Sequence, residues 1–134
     1  MSGLKDGLKG KVAVVTGAST PKGIGNAIAR RYAAEGAALY LVAEGTEQQL
    51  SEAVKTCRGL SPNGAKIESG QLDLAEPGAP EAMIEIALET HGQIDILVNN
   101  AGIRDHKPFG EFSRTEFDKI VAVNVAAAFF ASQA

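Results

Sequence analysis

The sequence predicts a doubly wound α/β fold built on a parallel sheet, and three observations carry that prediction. Short apolar runs alternate with segments of helical spacing, four of each along 134 residues. The links between them are short. The first apolar run passes through glycines directly into a helical segment. Alternation with short links implies right-handed crossovers, with helices on both faces of the sheet.

The elements follow in order. "KVAVVT", Lys11 to Thr16, is a Val-rich run bounded by Gly10 and Gly17, the pattern of a strand buried on both faces. In "GIGNAIARRYAAEG", Ile24, Ala27, Ile28 and a run of alanines give helical spacing. Arg30 and Arg31 fall on the wet side and Gly36 is the stop. "AALYLVA" is the second strand. "TEQQLSEAVKTC" is the second helix, with Thr46 as N-cap and Gln49 at capping-box spacing. "SPNGA" is a turn, and "KIESGQLDL" holds a weaker third strand. "PEAMIEIALETHG" is a helix that Gly92 ends, and "IDILVNNAG" is a fourth strand running into a turn. After the "KPFGEF" loop, "SRTEFDKIVAVNVAAAFFASQA" reads as one long helix, opened by a second capping box at Ser113 and Glu116. The order across the sheet expected from the family resemblance given below is third, second, first, fourth strand, a half-Rossmann arrangement with its ligand crevice at the strands' carboxyl ends, between strands one and four. No linker, repeat or low-complexity segment interrupts the chain, which reads as one incomplete domain over residues 1–134.

Composition narrows the function. The chain is 45% hydrophobic and 22% charged, with a formal net charge of −3. That balance argues against nucleic acid or an anionic membrane as the main partner. No apolar run is long enough to span a bilayer, and "MSGLKDGLKGK" has no apolar core of a secretory signal. The single cysteine, Cys57, cannot form an internal disulfide, which fits a reducing, cytoplasmic setting. It reads as a small buried apolar residue. Two separated histidines and one cysteine give no metal-ligand spacing. His91 falls at a helix C-terminus, where an imidazolium suits the helix dipole. His106 reads as a solvated loop residue, and Glu85 and Glu89 as helix-surface charges.

"VVTGASTPKGIG", Val14 to Gly25, carries the chemistry. A parallel strand turning through glycines into a helix presents free backbone N–H groups, and the helix dipole attracts an anion to them. Glycine there lets a pyrophosphate approach the backbone. The strict G-x-G-x-x-G pattern fails after Gly25, and Lys22 precedes its glycine, so the stretch is not a P-loop either. From the glycines alone, a phosphate cradle and a plain tight turn both stand.

Three further stretches add to it. "VTGASTPKGIG" resembles the T-G-x-x-x-G-x-G cofactor loop of the short-chain dehydrogenase/reductase family. "LDL" around Asp73, with Leu74, resembles that family's adenine-side segment. "VNNAG", Val98 to Gly102, resembles its N-N-A-G turn, and "VNVAAAFFASQA" its helix with an active-site Asn, here Asn124. The four occur in the family's order over nearly the whole chain. The resemblance implies an NAD(P)-binding site made of Gly17, Ser19, Lys22, Gly23, Ile24, Gly25, Glu44, Asp73, Leu74, Asn100, Ala101 and Gly102. One departure stands out: five residues, Ala18 to Lys22, separate Gly17 from Gly23 where the family has three. The two extra residues, with Pro21 among them, must bulge. The family contacts therefore carry over more directly to Gly23, Ile24 and Gly25 than to Ser19 and Thr20.

The choice of nicotinamide cofactor stays open. Family spacing puts the NAD-selecting acid at Ala43, with Glu44 beside it, whereas Lys22 sits where a basic residue pairs with the 2′-phosphate of NADP. Both are equally readable as solvated surface charges.

The resemblance implies hydride transfer between a nicotinamide and the carbon of a small carbonyl or alcohol substrate. That chemistry uses a Tyr as acid/base, a Lys four residues on, a Ser, and an Asn that supports a proton-relay water. A cation beside the Tyr brings its pKa down from about 10. Tyr32 is followed four residues later by Gly36 and Tyr40 by Glu44, so neither forms Y-x-x-x-K. Only Asn124 of the four is present. The expectation is the cofactor-binding half of a longer enzyme, inactive alone and homo-oligomeric. The open edge of "DILVN" and the apolar face of the last helix favour association. A binding module without turnover and a remnant that binds nothing are the alternatives.

Overall fold

The computed structural model describes residues 7–134; most of the N-terminal stretch read above for a leader lies outside them. Its elements are β1 (Val12–Thr16), α1 (Ile24–Ala34), β2 (Ala38–Ala43), α2 (Glu47–Leu60), β3 (Ile67–Gln71), α3 (Ala79–His91) and β4 (Ile96–Val98). A 3₁₀ turn at Phe109–Glu111, α4 (Arg114–Val121), a π turn at Ala122–Ala126 and α5 (Ala127–Gln133) complete them. The sheet has the order β3-β2-β1-β4 that the sequence predicts. All its pairings are parallel, with Val14 opposite Tyr40 on one side and Leu97 on the other.

Every residue of β1 is buried, and alternate side chains feed two cores, as a sheet covered on both faces requires. Ala13, Val15, Leu39 and Leu41 pack under α1 and α2, against Ala29, Ala33, Leu50 and Cys57. Val14, Tyr40 and Val42 pack under α3 and α5, against Met83, Ala87, Ala127 and Ala131. Burial pushes the Cys57 thiol up to about 11, against a lowering by Arg30, so it is an inert core residue at neutral pH.

Four local expectations are corrected. The buried face of α1 is Gly25, Asn26, Ala29 and Ala33; Ile24 and Ala27 point outward, with Ile24 75% exposed. Arg30 is half-buried, donating to the Asn26 side-chain oxygen at 2.9 Å. The capping box of α2 has one arm only: Thr46 accepts from the Gln49 amide, and no return bond forms. At His91 the surroundings disfavour the expected imidazolium. Burial, then Lys66, holds its imidazole below the usual histidine range, its ring lies edge-on to Tyr40, and left-handed Gly92 ends the helix. Finally, the last helix is not uniform, because the π turn interrupts it at Asn124. The second capping box, at Ser113 and Glu116, has both arms.

Asp95 ties β4 to β1. Its carboxylate accepts from the Val12 amide and from Gln93, both at 2.8 Å, and these bonds, Val12 first, hold its pKa below the ordinary value. A depressed carboxylate pKa contributes stability that is present above the unfolded value of about 4 and is lost as pH falls through the folded value. Asp95→Asn is therefore expected to flatten the acid limb of the stability–pH curve below about pH 4. Urea midpoints measured across that window check it, and a slope equal to wild type contradicts it.

Candidate functional site

The site lies at the carboxyl ends of the strands, where β1 and β4 diverge. Left-handed Gly17 (φ 66) turns the chain out of β1. The two extra residues of the loop are absorbed in a tight turn, closed by the Gly23 amide donating to the Thr20 carbonyl at 2.9 Å, with Pro21 and Lys22 exposed at its tip. The bulge thus points away from the strand ends, and Ser19 stays buried beside them. No side chain caps the start of α1, so its first amides remain free for an anion.

Thr16 is the hub of the site. It is 2% exposed. Its hydroxyl donates to the Val98 carbonyl at 3.2 Å and accepts from the amides of Asn100 (3.0 Å) and Ala101 (2.9 Å). The Asn100 side-chain amide returns to the carbonyls of Thr16 (3.1 Å) and Gly17 (3.2 Å). This reciprocal lock clamps the glycine turn after β1 to the N-N-A-G turn after β4. Asn26 completes the support from α1, its side-chain amide donating to the Ala18 carbonyl at 3.0 Å. Sequence reasoning assigned neither Thr16 nor Asn26 a task. A polar residue on the alanine face of α1 was the one visible signal for Asn26.

The glycines divide by task. A Cβ on Gly25 would collide with the Asn100 side-chain amide and lie 2.5 Å from the Gly17 carbonyl oxygen. Gly25 therefore permits close approach of α1 to both turns. Gly23 closes the tight turn.

A groove of about 270 Å³ opens over these turns. Gly17, Ser19, Glu44, Leu74, Asn100, Ala101 and Gly102 line it, as do Gln49 and Val123. Lys22, Gly23, Ile24, Gly25 and Asp73 do not. Asp73 has a local partner, its carboxylate accepting from the Ala75 amide at 2.9 Å, while its neighbours Leu72 and Leu74 face the groove.

The far wall comes from the π turn. Val123 faces the groove and is buried. Asn124 clasps the backbone of Ile103, accepting from its amide at 2.8 Å and donating to its carbonyl at 2.7 Å. Beyond Ile103 the loop is pinned by Lys107, which pairs with Glu116 at the start of α4. That pairing raises the lysine's pKa and lowers the glutamate's. His106 is exposed. Tyr40 is buried in the sheet with its pKa raised by burial, the opposite of what acid/base work at neutral pH needs. Tyr32 packs on the α1 side of the core. Among the described residues, no group of three or more acidic, His or Cys side chains is placed to hold a metal, and no helix is long and apolar enough to cross a membrane.

The family model described as short chain dehydrogenase matches residues 11–134. A 3alpha-hydroxysteroid dehydrogenase of Mediterraneibacter gnavus is 39% identical over 127 residues, 95% of this chain and 49% of that protein. An L-rhamnose 1-dehydrogenase (NADP(+)) of Thermoplasma acidophilum is 36% identical, over 93% of this chain and 47% of that one. A crystal structure of a short-chain dehydrogenase from Burkholderia cenocepacia in complex with NADP superposes with a TM-score of 0.86 at 37% identity, covering 94% of this chain and 49% of that one. The chain thus spans about half the length of the relatives it matches.

Proposed function

The chain belongs to the short-chain dehydrogenase family, and from that premise we propose that it is the NAD(P)-binding half of an oxidoreductase acting between a carbonyl and an alcohol. One observation carries the reading: the Thr16–Asn100 lock brings the glycine turn and the N-N-A-G turn onto one groove at the point where the sheet order reverses. The residues fit a dinucleotide. Uncapped α1 amides and side-chain-free Gly17 suit a pyrophosphate. Leu72, Leu74 and Val123 offer apolar walls to a base, and Ser19 and Glu44 offer hydrogen-bonding groups to a ribose. Asn100, Ala101 and Gly102 form the floor nearest β4. A nicotinamide dinucleotide bound there supplies a hydride donor or acceptor.

The chain's own contribution is to bind and to orient. Asn124 joins the helix to the segment after the N-N-A-G turn. Its catalytic role in this proposal is to hold a proton-relay water once the family's Tyr, Lys and Ser stand beside it. We take residues 1–134 as one incomplete domain that works in a reducing compartment. The outward face of α4, the π turn and α5, with Phe117, Val125, Phe129 and Phe130 exposed, fits homo-oligomeric association.

A second reading, a dinucleotide-binding module without turnover, is favoured by the placement of both tyrosines away from the groove. Titration of the protein from its natural source with NADH and NADPH, followed by a panel of ketones and alcohols, separates the readings. Saturable binding with turnover supports the oxidoreductase, and binding without turnover supports the module. Silence with both nucleotides overturns both.

A further inference from the structure

Glu44, which lines the groove, is paired with Lys119, which lies outside the lining. Glu44 directly follows the last residue of β2 and lines the groove. Lys119 comes from α4, and its ammonium lies 4.0 Å from the Glu44 carboxylate. Both side chains are about half exposed, 50% for Lys119 and 54% for Glu44. An exposed pair at this separation stabilises little and is screened by salt. The fold does not depend on it either, because the Ser113–Glu116 box and the buried Val123 and Ala127 already fix this segment. Either charge can therefore be exchanged to a ligand at small loss.

The backbone under Glu44 is fixed. The Gln71 side-chain amide donates to the Glu44 and Gly45 carbonyls, at 3.3 and 2.5 Å. Gly45 sits so close to Ser19 that an added Cβ would lie 2.6 Å from its hydroxyl. In dinucleotide sites the residues at the end of the second strand, here Ala43 and Glu44, meet the adenosine ribose. A carboxylate there accepts from the 2′-hydroxyl and repels a 2′-phosphate, whereas a cation takes the phosphate. Here both signs meet at one point.

We propose that Lys119 is a specificity-determining residue at the 2′ position: it neutralises Glu44 when the ribose carries a hydroxyl and exchanges Glu44 for the phosphate when the ribose carries one. This rests on the dinucleotide reading above. Its consequence is that Glu44 does not exclude NADP, and the groove accepts both cofactors. Lys22 is the competing candidate cation. Both lysines lie outside the groove lining, but Lys22 is exposed at its turn with no ion pair among the described residues, whereas Lys119 is held against groove-lining Glu44.

The test is calorimetry with NADH, NADPH, 5′-AMP and 2′,5′-ADP on wild type, Lys119→Ala, Glu44→Gln and Lys22→Ala, at low and moderate salt. Lys119→Ala is expected to weaken NADPH and 2′,5′-ADP about five- to tenfold at low salt while leaving NADH and 5′-AMP within about twofold. Glu44→Gln is expected to tighten the two 2′-phosphorylated ligands by a similar factor. An unchanged NADPH-to-NADH ratio in Lys119→Ala, or a loss confined to Lys22→Ala, overturns the inference and leaves the dinucleotide reading standing. Wild type that binds none of the four ligands overturns both.

Discussion

Thr16→Val is expected to destabilise the chain by about 2–4 kcal/mol and to abolish nucleotide binding. Valine keeps the volume of threonine, so the change removes the hydroxyl and little else. That hydroxyl serves three backbone groups. The Asn100 amide keeps a second acceptor, the Val98 carbonyl at 3.0 Å. The Ala101 amide loses its acceptor in a half-buried position, and leaving a donor unsatisfied costs up to about 1–3 kcal/mol where water does not reach it. Thr16→Ser keeps the hydroxyl and removes one methyl, so it is expected to retain binding and to lose about 1 kcal/mol through the small cavity. Urea unfolding of the three proteins checks both numbers. A Thr16→Val protein as stable as wild type contradicts the lock.

Gly25→Ala is the second large effect, and here two principles oppose one another. Gly25 lies inside α1, where alanine is intrinsically better than glycine by about 1 kcal/mol. The added methyl, however, meets the Asn100 side-chain amide and the Gly17 carbonyl. Neither can move away freely: one is bonded at both of its acceptors, and the other is backbone. Overpacking at such a site costs about 1–3 kcal/mol or more, so the clash wins, and α1 must back away from both turns. The expected result is a net loss of stability and a loss of nucleotide affinity of at least about tenfold. Gly59 provides the internal control. It lies in α2 with nothing within 4 Å of an added Cβ, so Gly59→Ala is expected to stabilise by about 0.5–1 kcal/mol. If both substitutions stabilise, close approach is not why Gly25 is a glycine.

The parallel sheet and its two-faced burial follow from the alternation and the Val-rich first strand, signals that are local and periodic, whereas the strand order rests on the family resemblance. The Ser113–Glu116 box was legible for the same reason. The task of Thr16 was not, because its partner Asn100 lies 84 residues along the chain. The rotation of α1 was hidden because Ile24 is apolar yet exposed, while Asn26 is polar yet buried. Asn26 tolerates burial through its bonds to Ala18 and Arg30, which no spacing displays. The π turn was hidden as well, since "VAVNVAAAFF" is an ordinary helical string and the wide turn is seen only together with the Asn124–Ile103 clasp. The missing arm of the Thr46 box coincides with the position of Gln49, whose side-chain oxygen comes within 3.1 Å of where a Gly45 Cβ would stand, on the groove.

On the reading proposed above, a nicotinamide dinucleotide lies along the carboxyl edge of β1, β2 and β4, held between the glycine turn and the N-N-A-G turn. Backbone amide NMR shifts recorded during an NADH titration test it most directly. Saturable shifts are expected at Gly17, Ser19, the first amides of α1, and Asn100 to Gly102, with α3 and the outer surface of α2 unmoved. Shifts centred on α3, or none at saturating NADH and NADPH, would contradict it.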